Sequence, residues 1–226
     1  MLIRWADQDR YEALEAIDRR TEACLGQLTF SREAGAITSV SAANPEAERR
    51  LRLAAERQMK PKGGSFHYNY PRYAEWSQPE HCPPCQNLPM PEGHMDIAET
   101  EYTWATGEYP GQGRLFGKMV VGAKRHYVHF EDMPEDEMTG FMRDVQRAGA
   151  ALRRVTGAVK INFEMHANSC PHLHVHLFPR YLDDDFPSAP IDYRITEPAP
   201  YEDYEEYLWF IERMRAELGA KEVSAP

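Results

Sequence analysis

The chain has 226 residues, enough to bury a proper core in one main domain with additions, and its composition excludes a disordered or fibrous protein. A formal net charge of −10 excludes nucleic acid or an anionic membrane as the default partner, and no apolar run approaches the roughly 20 residues of a membrane-spanning helix. The start, "MLIRWADQDR", runs at once into charge, unlike a secretory signal. Four cysteines, two of them in one Cys-x-x-Cys, fit a reducing cytoplasm better than a disulfide framework.

From Asp9 to Leu25, the residues Tyr11, Leu14, Ile17, Thr21, Cys24 and Leu25 recur at helical spacing and Gly26 offers a stop, which predicts a first helix. A second begins at Asn44, a capping residue, with Pro45 in the first turn and Glu46 and Glu48 at the positive helix end; it runs to Met59, where "PKGG" stops it. The aromatic, proline-broken stretch "SFHYNYPRYAEWSQPEHCPPC" reads as a packed irregular connection. Strands are predicted at 97–106 and 114–123, joined by a turn around "EYPGQG". "MPEDEMTGFMRDVQRAGAALRRVTG" reads as one helix, with Glu135, Asp136 and Glu137 in its first turn and Arg153 and Arg154 in its last before Gly157. Two more strands follow at 158–165 and 172–180. A closing helix spans 201–218, with Tyr204, Tyr207, Leu208, Ile211 and Met214 on one side. This order predicts an α+β fold, a sheet with a helix across one face, divided into a mainly helical extension (1–78), a core (79–182) and a tail with a helix (183–226).

The core closes on "CPHLHVHLFPRY", which places His172, His174 and His176 at alternate positions. Residues two apart on a strand share a face, so the three imidazoles project together while Leu173, Val175 and Leu177 project into a core. A lone histidine is ordinarily a satisfied structural or surface residue; three on one face of one short strand are a pattern. Two chemistries compete for it. One is a metal site, since imidazole suits zinc, copper and iron. The other is chemistry on phosphate, because neutral imidazole is a nucleophile at pH 7 and its N–H can bind phosphoryl oxygens. No acid alternates among the histidines. Asn168 and Ser169 sit in the polar connection entering the strand, where amide and hydroxyl groups can hold phosphate oxygens, so phosphate chemistry is favoured. Cys82 and Cys85 have the spacing at which two thiolates share one zinc, with a redox pair or an unremarkable surface turn as the alternatives.

The run His172-Leu-His174-Val-His176-Leu-Phe resembles the signature of the histidine-triad (HIT) superfamily of nucleotide hydrolases and transferases. "GRLFGKMVVGAKRHYVHFEDMPEDEM" and "INFEMHANSCPHLHVHLFPRY" are similar to that family's strand, basic turn and helix start, and to its closing hairpin. The resemblance implies a half-barrel antiparallel sheet with a helix packed across it. It also implies a catalytic His174 that attacks the α-phosphorus of a nucleotide to form a nucleotidyl-histidine. His176 would bind phosphate oxygens or help the leaving group, with Asn162, Asn168 and Ser169 as substrate contacts. A nucleotide hydrolase that releases a nucleoside monophosphate is the expected function. A transferase or phosphorylase using the same intermediate is the first alternative, and a non-catalytic, zinc-stabilised nucleotide-binding module is the second. "SCPHLH" and the Cys-x-x-Cys further resemble the galactose-1-phosphate uridylyltransferase branch, which implies a structural zinc held by Cys82, Cys85, His126 and His172, with His81 and His129 as substitutes for His126. The resemblance also implies a homodimer.

Overall fold

The computed structural model describes residues 1–87, 93–108, 115–191 and 201–219, and the chain divides into two compact units. The first comprises Met1–Gln86 with Asn168–Pro171, and the second Asn87–Ala167 with His172–Pro226.

The first unit is not mainly helical. Four strands, β1 (Leu2–Trp5), β2 (Ala13–Ile17), β3 (Cys24–Ser31) and β4 (Ala36–Ala42), form an antiparallel sheet in sequence order. The helix expected over Asp9–Leu25 is therefore replaced by β2, a turn and the start of β3. Leu14 and Ala16 alternate into a core with Leu28 and Phe30, a period of two that the larger residues at helical spacing masked. Asp18 makes the turn, accepting from the backbone N–H groups of Arg20 and Thr21. Helix α1 (Pro45–Gln58) forms as expected: the Asn44 side chain accepts from Ala47 N–H at 2.9 Å, and Ala47, Leu51 and Ala55 bury against the sheet. Within the stretch expected to be irregular lies a short helix, α2 (Tyr70–Trp76), capped by Asn69, with Pro71 in the first turn where it removes no helical hydrogen bond.

The second unit carries five antiparallel strands in the order β5-β6-β7-β9-β8: β5 (His94–Glu99), β6 (Thr103–Glu108), β7 (Met119–Ala123), β8 (Lys160–Glu164) and β9 (His174–Arg180). The single strand expected over 97–106 is a hairpin, because Thr100 turns the chain: its hydroxyl accepts from the N–H of Tyr102 and Thr103. Apart from Glu108, the turn expected around 108–113 lies outside the described residues. Helix α3 (Glu135–Thr156) runs between the acidic turn and Gly157, whose φ of 69° is the left-handed cap that glycine adopts without strain. It packs Phe141, Val145, Ala148 and Leu152 on the sheet face that presents Met119, Val121, Val175 and Leu177. Helix α4 (Tyr204–Leu218) adds Tyr207, Phe210, Ile211 and Met214 to the same core, with Asp203 capping its start. Tyr204, expected on the buried side, is 48% exposed, and Phe210 takes that place. The result is an α+β unit whose helices cover one sheet face and leave the other to the histidines. Among the described residues no helix is long and apolar enough to cross a membrane.

Candidate functional site

Register places the polar face. Gly122 of β7 pairs with His174 of β9, and Val120 pairs with His176 and with Thr106 of β6. On the other side of β9, Glu164 pairs with His176 and Asn162 with Phe178. Strand alternation therefore puts Trp104, Thr106 and Glu108, then Val120 and Gly122, then His174, His176 and Phe178, then Asn162 and Glu164, on one face. Glycine at 122 is required there. A Cβ at that position would lie 2.0 Å from the Trp104 indole, which occupies the space instead.

The three histidines do not share one environment. Regular pairing begins only at His174, so the strand expected from 172 is two residues shorter. His172, 2% exposed, points a ring nitrogen, Nε2, at the Ala123 carbonyl oxygen 2.7 Å away. A carbonyl accepts only, so Nε2 carries the hydrogen and Nδ1 keeps the lone pair. Burial pushes the imidazole down to about 4, so it is neutral at pH 7. His126 stands beside it, ring centroids 5.3 Å apart.

The first unit carries Cys82 and Cys85 and the second carries His126 and His172. Two sulfurs and two imidazole nitrogens are the donor types of a closed tetrahedral zinc site. Burial pushes the Cys82 thiol up to about 12, so a cation is what would draw out its thiolate. The chemistry of these four donors fits a zinc ion.

His174 and His176 turn toward each other, with Nε2 atoms 3.2 Å apart and rings nearly perpendicular. His174 Nδ1 lies 2.6 Å from the His172 carbonyl oxygen and donates to it. Burial lowers the His174 pKa; burial and the nearby Lys118 ammonium hold His176 down to about 3. His176 stacks on Phe178 at 5.7 Å.

Asn162 lies on this polar face, half-buried. Asn168 and Ser169 belong to the tetrapeptide grouped with the first unit, where the Asn168 carbonyl accepts from Phe66 N–H. Arg180 forms a two-pronged ion pair with Asp184, at 2.7 and 2.9 Å, so its charge is spent within the "YLDDDFP" turn.

Sequence reasoning missed a buried ionic group on the same face. Lys118, 0% exposed, is ion-paired with Glu108, 8% exposed, and His94 Nε2 stands 3.2 Å from the other Glu108 oxygen. Burial alone would raise Glu108; the His94 hydrogen bond and the Lys118 charge reverse this and hold it at about 2. The available signal was Lys118 itself, a charge two residues before Val120 in an otherwise apolar strand.

Comparison with known proteins bears on this face directly. Residues 117–183 match the HIT domain family. An uncharacterised HIT-like protein of Methanocaldococcus jannaschii is 31% identical over 72 residues, 30% of this chain, and the match spans about half, 56%, of that relative's length. A histidine-triad protein from Bradyrhizobium japonicum superposes with a TM-score of 0.50 at 23% identity, covering 56% of this chain and 92% of its own. A zinc-bound histidine-triad family protein from Mycobacterium smegmatis gives 0.41 at 22% identity, covering 55% and 83%. The second unit thus has the HIT fold. At the level of sequence, the resemblance to the HIT domain is carried by residues 117–183.

Proposed function

We propose that the chain is a nucleotide hydrolase that cleaves a nucleoside 5′-phosphate derivative at the α-phosphorus through a nucleotidyl-histidine on His174. The observation that carries this reading is the 2.6 Å bond from His174 Nδ1 to the His172 carbonyl. With Nδ1 protonated and the ring neutral, the lone pair is on Nε2, the atom 3.2 Å from His176 Nε2. Nε2 forms a bond to phosphorus as the bond to the leaving group breaks. His176, whose N–H lies beside Nε2, then donates to a phosphate oxygen or to the departing atom. Water attacks the same phosphorus in a second displacement, the P–N bond breaks, and the monophosphate leaves with the imidazole restored. Splitting one displacement into two lets a single set of donors serve two similar transition states.

By resemblance Asn162, on the same face, is assigned to phosphate or ribose, and Asn168 and Ser169 to phosphate. Cys82, Cys85, His126 and His172 would hold a zinc. Four protein ligands leave no open position for a reacting water, so its contribution is structural. A homodimer is the assembly this family resemblance favours; light scattering on the purified chain tests it.

The deciding experiment is turnover of a panel containing dinucleoside polyphosphates, adenosine phosphoramidate, adenylyl sulfate and nucleotide sugars. Each is run with and without candidate acceptors, for wild type and His174→Gly. Monophosphate release lost in the variant supports the hydrolase. Turnover only with an acceptor present supports a transferase or phosphorylase, and binding without turnover, unaffected by the substitution, refutes catalysis.

A further inference from the structure

The imidazole chain on β9 can be followed one ring beyond the nucleophile. His174 uses its Nδ1 hydrogen on the His172 carbonyl, so its Nε2 bears a lone pair. His176 Nε2 is 3.2 Å from that atom. Two lone pairs cannot face each other at hydrogen-bond distance, so His176 carries its hydrogen on Nε2. Its Nδ1 is then an acceptor. That Nδ1 is buried and has no hydrogen-bond partner among the described residues. Buried acceptors are almost always satisfied, so this atom needs a donor.

Few donors face it. Lys118 Nζ is fully buried on the same sheet face, and its ion pair with Glu108 takes up only part of its three N–H groups. Lys118 is two residues before Val120, the cross-strand partner of His176, which places it one row along the sheet, about 7 Å and within the reach of a lysine side chain. Lys118 and His176 also share a neighbour: the Phe178 ring lies 5.5 Å from the ammonium and 5.7 Å from the imidazole. Thr106 Oγ1 is a buried hydroxyl on this face without a hydrogen-bond partner among the described residues, in the row of His176 but two strands away.

We infer that Lys118, anchored by Glu108, donates to Nδ1 of His176, directly or through one water, and so, together with the His174 lone pair, holds His176 as the Nε2–H tautomer. Lys118 is a positioning residue. With Lys118 in place, His176 always presents an N–H to the substrate, which an anionic phosphate oxygen or a departing oxygen accepts. In the other tautomer His176 would present a lone pair and repel both. Glu108 holds the ammonium, and His94 Nε2 stands against the other Glu108 oxygen. The tautomer assignment stands on geometry; its catalytic consequence rests on the hydrolase reading above.

Two-bond ¹H–¹⁵N correlation spectra of the uniformly labelled, full-length protein read histidine tautomers directly. Wild type is expected to show His176 as Nε2–H. Lys118→Met should convert it to a mixture and lower kcat about tenfold or more with KM little changed. The charge-neutral pair Glu108→Gln/Lys118→Met should do the same, and it serves if the single variant does not fold. Thr106→Val should leave the His176 tautomer as it is. His176 remaining purely Nε2–H without Lys118, or shifting only in Thr106→Val, would overturn the assignment. If wild type turns over no nucleotide, the hydrolase reading fails while the spectra still decide the tautomer.

Discussion

The Glu108–Lys118 pair makes a quantitative prediction for stability. Both groups are nearly excluded from water, at 8% and 0% exposure, so neither can be rescued by solvent when the other is removed. Lys118→Met strands a carboxylate with the neutral-or-charged His94 ring beside it, and loss of one partner of a buried pair costs about 3–5 kcal/mol. Glu108→Gln/Lys118→Met removes both charges, and such replacements are nearly neutral, so the double variant should be about 3–5 kcal/mol more stable than Lys118→Met alone. At about 2–4 °C per kcal/mol for a chain of this size, Lys118→Met should melt about 6–20 °C lower, and the second change should restore most of that. Calorimetry gives the melting shift, and hydrogen exchange of the β6, β7 and β9 amides assigns it to this sheet. The deficit also has a pH signature. Without Lys118, burial raises the Glu108 pKa, so acid protonates the stranded carboxylate and the deficit shrinks as pH falls. A Lys118→Met protein as stable as wild type, or a double variant no better than the single, would refute a desolvated pair.

Three further outcomes are expected. His176 is held at about 3 against an ordinary 6.5; its neutral form is favoured on folding, so this stability is full above pH 6.5 and is lost as pH falls toward 3, about 2 kcal/mol between pH 8 and 5. His176→Gln should flatten that part of the stability–pH curve, and an unchanged curve would contradict the assignment. Gly122→Ala drives a Cβ into the Trp104 ring, so it should cost about 1–3 kcal/mol and shift tryptophan emission as the indole leaves the His174 row; wild-type emission would show that the ring was never there. Metal analysis should find one zinc per chain in unchelated protein and much less in Cys82→Ser, whereas equal content in both would remove Cys82 from the ligand set.

How much of this was legible depended on the range of the interactions. The alternation of His172, His174 and His176 and the charged ends of α3 are local patterns, and both led to the right element. Asp9–Leu25 misled because Leu14, Ile17 and Leu25 satisfy a helical period by coincidence, while the actual period of two runs through Ala16, too small to register. The turn signal was present in Asp18, whose side chain caps two backbone N–H groups, but aspartate on a helix surface looks the same in sequence. Lys118 was illegible for a different reason. A lysine beside an apolar strand reads as a surface residue until Glu108 is known to face it from β6, and that pairing is a matter of sheet register. The separate surroundings of His172 and His174 were likewise invisible to periodicity, which assigns both to one face; only the resemblance gave them the different roles proposed above.

That separation raises the question of whether a metal on His172 would also set the nucleophile, since the carbonyl that holds His174 Nδ1 belongs to His172 itself. Two anchors compete for that carbonyl. A metal would fix the His172 ring through Nδ1, with Nε2 already tied to the Ala123 carbonyl. The sheet fixes the next residue from both sides, Leu173 N–H donating to Tyr127 O at 2.7 Å and Leu173 O accepting from Ala123 N–H at 2.9 Å. Two backbone bonds adjoining the peptide are enough to aim its carbonyl without a metal. Stripping zinc should therefore lower the melting temperature clearly, while kcat of the protein that remains folded falls by less than about tenfold, the lower end of what losing an outer partner of a site costs. A loss of kcat as complete as that of His174→Gly, at a temperature where circular dichroism shows the sheet intact, would mean that the metal and not the sheet aims the nucleophile.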